Sequence, residues 1–210
     1  MEGWSTGAFN EDRTLKYISV KKSTGSEQIG LPSSLTYITE NCFADCHELS
    51  FDNGSIVLPP NITYIGYAAF YYCTSLTNVD FSQATNLNEI QYQAFQSCSG
   101  LTSLSLPDSV TSIQHEAFVD CYNIKTIKLS NSITTIGPYA FANTTVGAAS
   151  TTPSKIEYLY IPESTITIDE GAFLNSQNLK EVVIGNEKVN SKIGQYAFAN
   201  CPSIVSMTFL

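Results

Sequence analysis

Charge is scarce in this chain. Only 14% of its 210 residues are Asp, Glu, Lys or Arg, and 19 acidic residues face 10 basic ones, for a net charge of −9. The longest basic run is Lys21-Lys22. Phosphate recognition needs a basic stripe, so nucleic acid is excluded as a partner. Long apolar runs are missing too: none approaches the ~18 residues of a spanning helix, which excludes direct membrane insertion by this segment. Met1-Glu2-Gly3-Trp4 has neither a basic head nor an apolar core, so it is not a signal peptide. There is no Gly-x-Ser-x-Gly elbow, His-Glu-x-x-His, P-loop or Gly-x-Gly-x-x-Gly. The expectation is a chain with no cofactor that is not an enzyme.

Against those gaps stands one strong presence. An Ala-Phe pair recurs as Ala8-Phe9, Ala69-Phe70, Ala94-Phe95, Ala117-Phe118, Ala140-Phe141, Ala172-Phe173 and Ala197-Phe198, with a variant at Cys42-Phe43. The phenylalanines are separated by 34, 27, 25, 23, 23, 32 and 25 residues. A base period of 23 with insertions signals a solenoid. The domain expectation is therefore one elongated domain over residues 1–210, with about eight repeats. Because the array starts inside a repeat and stops on the strand-like Met207-Thr-Phe-Leu210, it reads as a piece of a longer protein.

Each unit has the same internal order. Three residues after the phenylalanine comes Cys46, Cys73, Cys98, Cys121 or Cys201, replaced by Thr144 and Ser176 in two units. An alternating pair follows, such as Val79/Phe81, Leu104/Leu106, Leu159/Ile161, Val182/Ile184 and Met207/Phe209. Apolar residues two apart mark a half-buried strand. A proline then ends the strand in several units, as at Pro32, Pro59, Pro107 and Pro162. A second pair such as Leu35/Ile38 or Val110/Ile113 comes next, and the Ala-Phe-x-x-Cys segment reads as a short helical turn. Phe43, Phe70, Phe95, Phe118, Phe141, Phe173 and Phe198, with the five repeat cysteines, form the expected core ladder. The longest insertion, 143–155, is small and polar and reads as a mobile surface loop.

The string Leu-x-x-Leu-x-Leu-Pro-x-Ser-Val-Thr-x-Ile-x-x-x-Ala-Phe-x-x-Cys, read in Leu101–Cys121 and again in Ile124–Phe141, resembles the BspA-like leucine-rich repeat family. Thr165 departs from it, standing where Val is expected. The resemblance covers nearly the whole chain. It implies a leucine-rich repeat solenoid: a curved right-handed α/β-type superhelix with parallel strands on the concave face and short helical turns plus short strands on the convex side. It also implies a cell-surface or secreted location and an adhesin-like protein-binding role. The partner would be an extracellular-matrix or microbial surface protein. A structural spacer and a glycan-binding module are the alternatives.

The six cysteines are an even number, as in a disulfide set. Five share one repeat position, where side chains of stacked coils point the same way, and that geometry disfavours bridging. Cys42, Cys46 and His47 have the look of a metal cluster, but the repeat already accounts for both cysteines. His115 reads as an isolated exposed histidine. Asn53, Asn61 and Asn143 begin glycosylation sequons. The candidate binding face is the set of strand residues pointing away from the core: Asn78 and Asp80, Ser103 and Ser105, Thr126 and Lys128, Tyr158 and Tyr160, and Glu181. The two tyrosines carry most interest, because exposed Tyr is enriched at hot spots.

Overall fold

The computed structural model describes residues 5–21, 25–51, 54–144, 152–185 and 192–210. Among them are sixteen short strands and no helix, numbered in chain order. β1 (Ser19–Lys21) and β2 (Glu27–Ile29) form an antiparallel hairpin in the first insertion. The other strands fall into two parallel series. One holds β4 (Ser55–Val57), β6 (Asn78–Asp80), β8 (Ser103–Ser105), β10 (Thr126–Lys128), β12 (Tyr158–Ile161), β14 (Glu181–Ile184) and β16 (Ser206–Phe209). The second holds the two-residue strands β3 (Tyr37–Ile38), β5 (Tyr64–Ile65), β7 (Glu89–Ile90), β9 (Ser112–Ile113), β11 (Thr135–Ile136), β13 (Thr167–Ile168) and β15 (Lys192–Ile193). Each coil contributes one strand to each series and one Ala-Phe turn segment.

The phenylalanines form a single column. From Phe9 to Phe198 successive ring centroids lie 5.1–5.4 Å apart, with planes within 18° of parallel. The 32-residue step from Phe141 to Phe173 keeps the same 5.3 Å as the 23-residue steps. Insertions therefore sit outside the stack and leave its rise untouched. Eight rings bound seven turns. Beside them Ile38, Ile65, Ile90, Ile113, Ile136 and Ile168 are fully buried. So are Leu49, Leu76, Leu101, Ile124 and Leu179, each within 1% of complete burial. No coil closes this core alone, since each large side chain is covered by neighbours above and below.

The Ala-Phe-x-x-Cys segments are not helical, contrary to the sequence expectation. In seven of the eight turn segments the residues two before and two after the phenylalanine fall at positive φ, and about Phe141 only Tyr139 does. Asn41 and Asp45, Ala68 and Tyr72, Gln93 and Ser97, and Glu116 and Asp120 lie at φ 51–61°. Gly7 and Gly171 take the same place in two coils. This makes a chain of i→i+3 turns, for example Ala69 N–H to Gly66 O and Cys73 N–H to Phe70 O, both 3.2 Å. The left-handed residues and the phenylalanine then aim their N–H groups along the stack. Ala68, Phe70 and Tyr72 donate to the carbonyls of Tyr92, Ala94 and Gln96 at 2.8–3.1 Å. A helix would spend those donors within its own segment. A left-handed non-glycine residue costs about 1–2 kcal/mol, and each inter-coil bond returns about 0.5–1.5 kcal/mol. The three-to-four spacing that suggests a helix is the spacing of consecutive turns.

The cysteines are all unpaired. Sγ of Cys46, Cys73, Cys98, Cys121 and Cys201 donates to the carbonyl of Phe9, Phe43, Phe70, Phe95 and Phe173, at 2.9–3.4 Å. Burial pushes the thiols of Cys42, Cys46 and Cys98 up to about 12, so they remain protonated donors at neutral pH. Where Thr144 takes the place, its hydroxyl and N–H go to the Asp120 carboxylate at 3.0 and 2.6 Å. Ser176 is buried, and its hydroxyl finds no partner among the described residues. Thr165, the departure from the valine pattern, is 1% exposed and donates its hydroxyl to Ile133 O at 3.3 Å.

Burial fades at the last coil. Phe198 and Cys201 are only partly buried, and Met207 and Phe209, expected to face inward, are 38% and 46% exposed. That coil has one neighbour within the chain, and a second is what seals each interior. The insertion expected to be a mobile loop has 145–151 outside the described residues, as does the Asn53 sequon. Asn143 is 8% exposed with its amide donating to Thr152 O, which removes it as a glycan acceptor in the folded chain. Asn61 is exposed.

Candidate functional site

Strand alternation fixes what the longer-strand face presents. Ser55, Asn78, Ser103, Thr126, Tyr158, Glu181 and Ser206 point outward at the first strand position, and Val57, Asp80, Ser105, Lys128, Tyr160, Val183 and Thr208 at the third. Within each ladder the register is direct: Ser55 faces Asn78, Ser103 faces Thr126, and Tyr158 faces Glu181, which faces Ser206. The ladders are joined across the face by backbone bonds such as Thr102 N–H to Thr77 O at 3.1 Å and Lys155 N–H to Tyr122 O at 2.9 Å. Asn78, Asp80 and Ser103 are half-buried, while Ser105, Thr126, Lys128, Tyr158, Tyr160 and Glu181 are exposed.

Five of the predicted residues converge. Asn78, Asp80, Ser103, Ser105 and Lys128 line a groove of 390 Å³, together with Ser82, Pro107 and Asp108. The groove is polar and hydrogen-bonded. Asn78 Nδ2 donates to Ser55 Oγ at 2.9 Å, and Ser82 N–H to Asp80 Oδ1 at 2.8 Å. Asp108 accepts from the Asn131 backbone at 2.9 Å and from its amide at 3.2 Å. Those bonds, aided by nearby Lys128, hold the Asp108 carboxyl below its ordinary range. Asp108 and Ser82 escape alternation-based reasoning because they lie just past their strands. Pro107, which ends β8, was the available signal.

The tyrosine pair divides. Tyr158 is 50% exposed and lines a second pocket of 480 Å³ with Lys125, Thr126, Lys155, Glu157 and Asn178, on the leading edge of the strands. Tyr160 instead lies over the next coil. A Cβ on Gly185 would come within 2.8 Å of its hydroxyl, so the glycine leaves the ring its seat. In the first unit Tyr17 is 52% exposed and Ser19 belongs to the β1–β2 hairpin.

The histidines lie elsewhere. His47 Nε2 is 3.3 Å from Asp45 Oδ1, and its ring sits 5.4 Å from that of Tyr72. Among the described residues no group of three His, Cys, Asp or Glu side chains could hold a metal ion. His115 is not isolated as expected. Its ring stacks on Tyr92 at 4.9 Å, meets Tyr139 at 5.9 Å, and Nε2 is 3.5 Å from Glu116. With Tyr67, 5.1 Å from Tyr92, these rings form an aromatic column on the turn side. Tyr92 and His115 lie face to face, while Tyr67 and Tyr139 meet them at a tilt.

The fold and its repeat are shared with known proteins. A family model described as the BspA type leucine-rich repeat region matches residues 15–147 and 144–210, in six copies. No curated protein is significantly similar in sequence. A leucine-rich repeat protein from Bacteroides ovatus superimposes with a TM-score of 0.70 at 21% identity over 100% of this chain, which spans 59% of that one. The leucine-rich repeat protein of T. pallidum gives 0.67 at 22% identity, covering 90% of this chain and 87% of its own. A leucine-rich cell-surface protein from Faecalibacterium prausnitzii gives 0.54 at 22% identity, covering 86% and 59%. At these identities the likeness is one of fold. No helix among the described residues is long and apolar enough to cross a membrane. The chain belongs to the BspA-type leucine-rich repeat family.

Proposed function

We propose that this chain is a non-catalytic, adhesin-like module that recognises a host or surface protein through the longer-strand face. The observation that carries the reading is the face itself. Seven parallel strands tile it, and their outward side chains form two rows. In its middle a polar groove adjoins exposed Lys128, Tyr158 and Tyr160. Repeat solenoids use such extended surfaces for binding. The family supports an interaction role, and the cell-surface Faecalibacterium relative supports a surface or secreted location for this chain.

The test is an array of extracellular-matrix and microbial surface proteins probed with this chain. A bound protein should lose roughly tenfold or more in affinity to Tyr158→Ala with Tyr160→Ala, the range of hot-spot residues. A blank array, or a captured protein indifferent to both the tyrosine pair and Asp80→Ala with Lys128→Ala, sinks the proposal.

A further inference from the structure

Basic residues are few in this chain, and they are not spread evenly. Of its ten, Lys125, Lys155 and Lys180 gather on neighbouring coils near Tyr158. The acidic groups there are Glu157 and Glu181. Glu157 is already taken, because Lys180 Nζ lies 2.8 Å from its Oε2. Lys125 and Lys155 line the 480 Å³ pocket beside Tyr158, and neither makes an ion pair among the described residues. A chain of net charge −9 thus holds two bare ammonium groups in one recess.

The remaining lining is specific in kind. The Tyr158 ring is half exposed, with no aromatic ring stacked on it among the described residues. Thr126 adds a hydroxyl. Asn178 adds an amide fixed in place by its Nδ2–H bond to Ser154 O at 2.8 Å, which leaves the amide oxygen turned away from that contact. An aromatic face offers a surface for the C–H side of a sugar ring, the hydroxyl and amide oxygen suit sugar hydroxyls, and the two ammonium groups suit an anion. The size falls within the ~300–1,000 Å³ of small-ligand sites.

We infer that the recess between Lys125, Lys155 and Tyr158 is a binding site for an acidic saccharide, one bearing a carboxylate or a sulfate. The recess shares Tyr158 with the proposed protein-binding face, but its two lysines lie outside the polar groove, so the Lys125→Gln with Lys155→Gln variant tests it apart from that role.

Titration by two-dimensional NMR separates the possibilities. The probes are glucuronic acid, a sulfated glucosamine, neutral glucose and a short poly-glutamate peptide. Either acidic sugar should shift the signals of Thr126, Tyr158 and Asn178, and whichever binds more tightly identifies the anion. Lys125→Gln with Lys155→Gln should weaken binding about tenfold, as two exposed charge contacts allow. Tyr158→Ala should weaken it as well, while glucose and poly-glutamate leave the site unshifted. All of these residues are exposed or half-exposed, so an unchanged thermal melt confirms that each variant is folded. Equal binding of poly-glutamate with no role for Tyr158 means a mere charge patch and overturns the inference. Equal binding of glucose, or silence from both acidic sugars, overturns it too.

Discussion

The strand side and the turn side of one coil meet the same demand by opposite means. Both must pass backbone hydrogen bonds to the next coil. The strands do so in ordinary extended geometry, which leaves every second side chain free to vary. The turn side does so with paired left-handed residues, such as Glu116 and Asp120 about Phe118. That geometry ties its buried positions to Ala, Phe and a small donor. The difference teaches where function can reside. Variation is cheap on the strand face and costly at the buried positions of the turn face, which is why the proposed recognition surface is the strand face.

The sharpest way to break this contrast is Phe118→Ala, which removes a ring stacked at 5.3 Å on both sides. It should cost about 3–5 kcal/mol in urea unfolding, as for other buried aromatics. Phe198, stacked on one side only, should cost clearly less. Equal losses would mean the column is not cooperative.

Alkaline unfolding comes next. Cys98 is raised by burial from 9.0 to about 12, and Cys73 and Cys121 stand well above 9.0. A raised folded value stabilises fully below the unfolded one and is lost as pH climbs through the folded one. Urea midpoints should therefore be flat up to about pH 9 and fall between 9 and about 12. Cys98→Ala should lessen the slope, and a slope it leaves unchanged would count against the buried thiol as cause.

Ser176→Cys supplies the donor that its coil lacks. It should gain about 1–2 kcal/mol by relieving a buried unpaired hydroxyl. Smaller still is Ser97→Gly. At φ 58° on a partly exposed residue glycine is the easier choice, so stability should rise by about 0.5–1 kcal/mol. A helix would lose about that much instead, so the sign alone decides between turn and helix. At the bottom of the scale, Tyr158→Ala with Tyr160→Ala should move the thermal melt by no more than about 0.5 kcal/mol equivalent.

Much of this was legible in the residues. The phenylalanine spacing gave the column, and the two-residue alternation gave the outward rows, because a strand has only one way to divide its side chains. The helical reading of Ala-Phe-x-x-Cys failed for a definite reason. Turn and helix share a three-residue spacing, and the sign of φ at Ala68 or Glu116 leaves no trace in residue type. The Lys125–Lys155 recess was illegible as well, since the two residues are joined only by stacking across an insertion of variable length.

The sequence alone determined that the coils stack, which side chains fill them and which residues face out, since a periodic pattern can be buried in one register only. Tertiary structure decided the rest. It set the left-handed backbone of the turn side, the thiol bonds to phenylalanine carbonyls and the meeting of lysines around Tyr158, because each depends on what the next coil presents and not on any coil by itself.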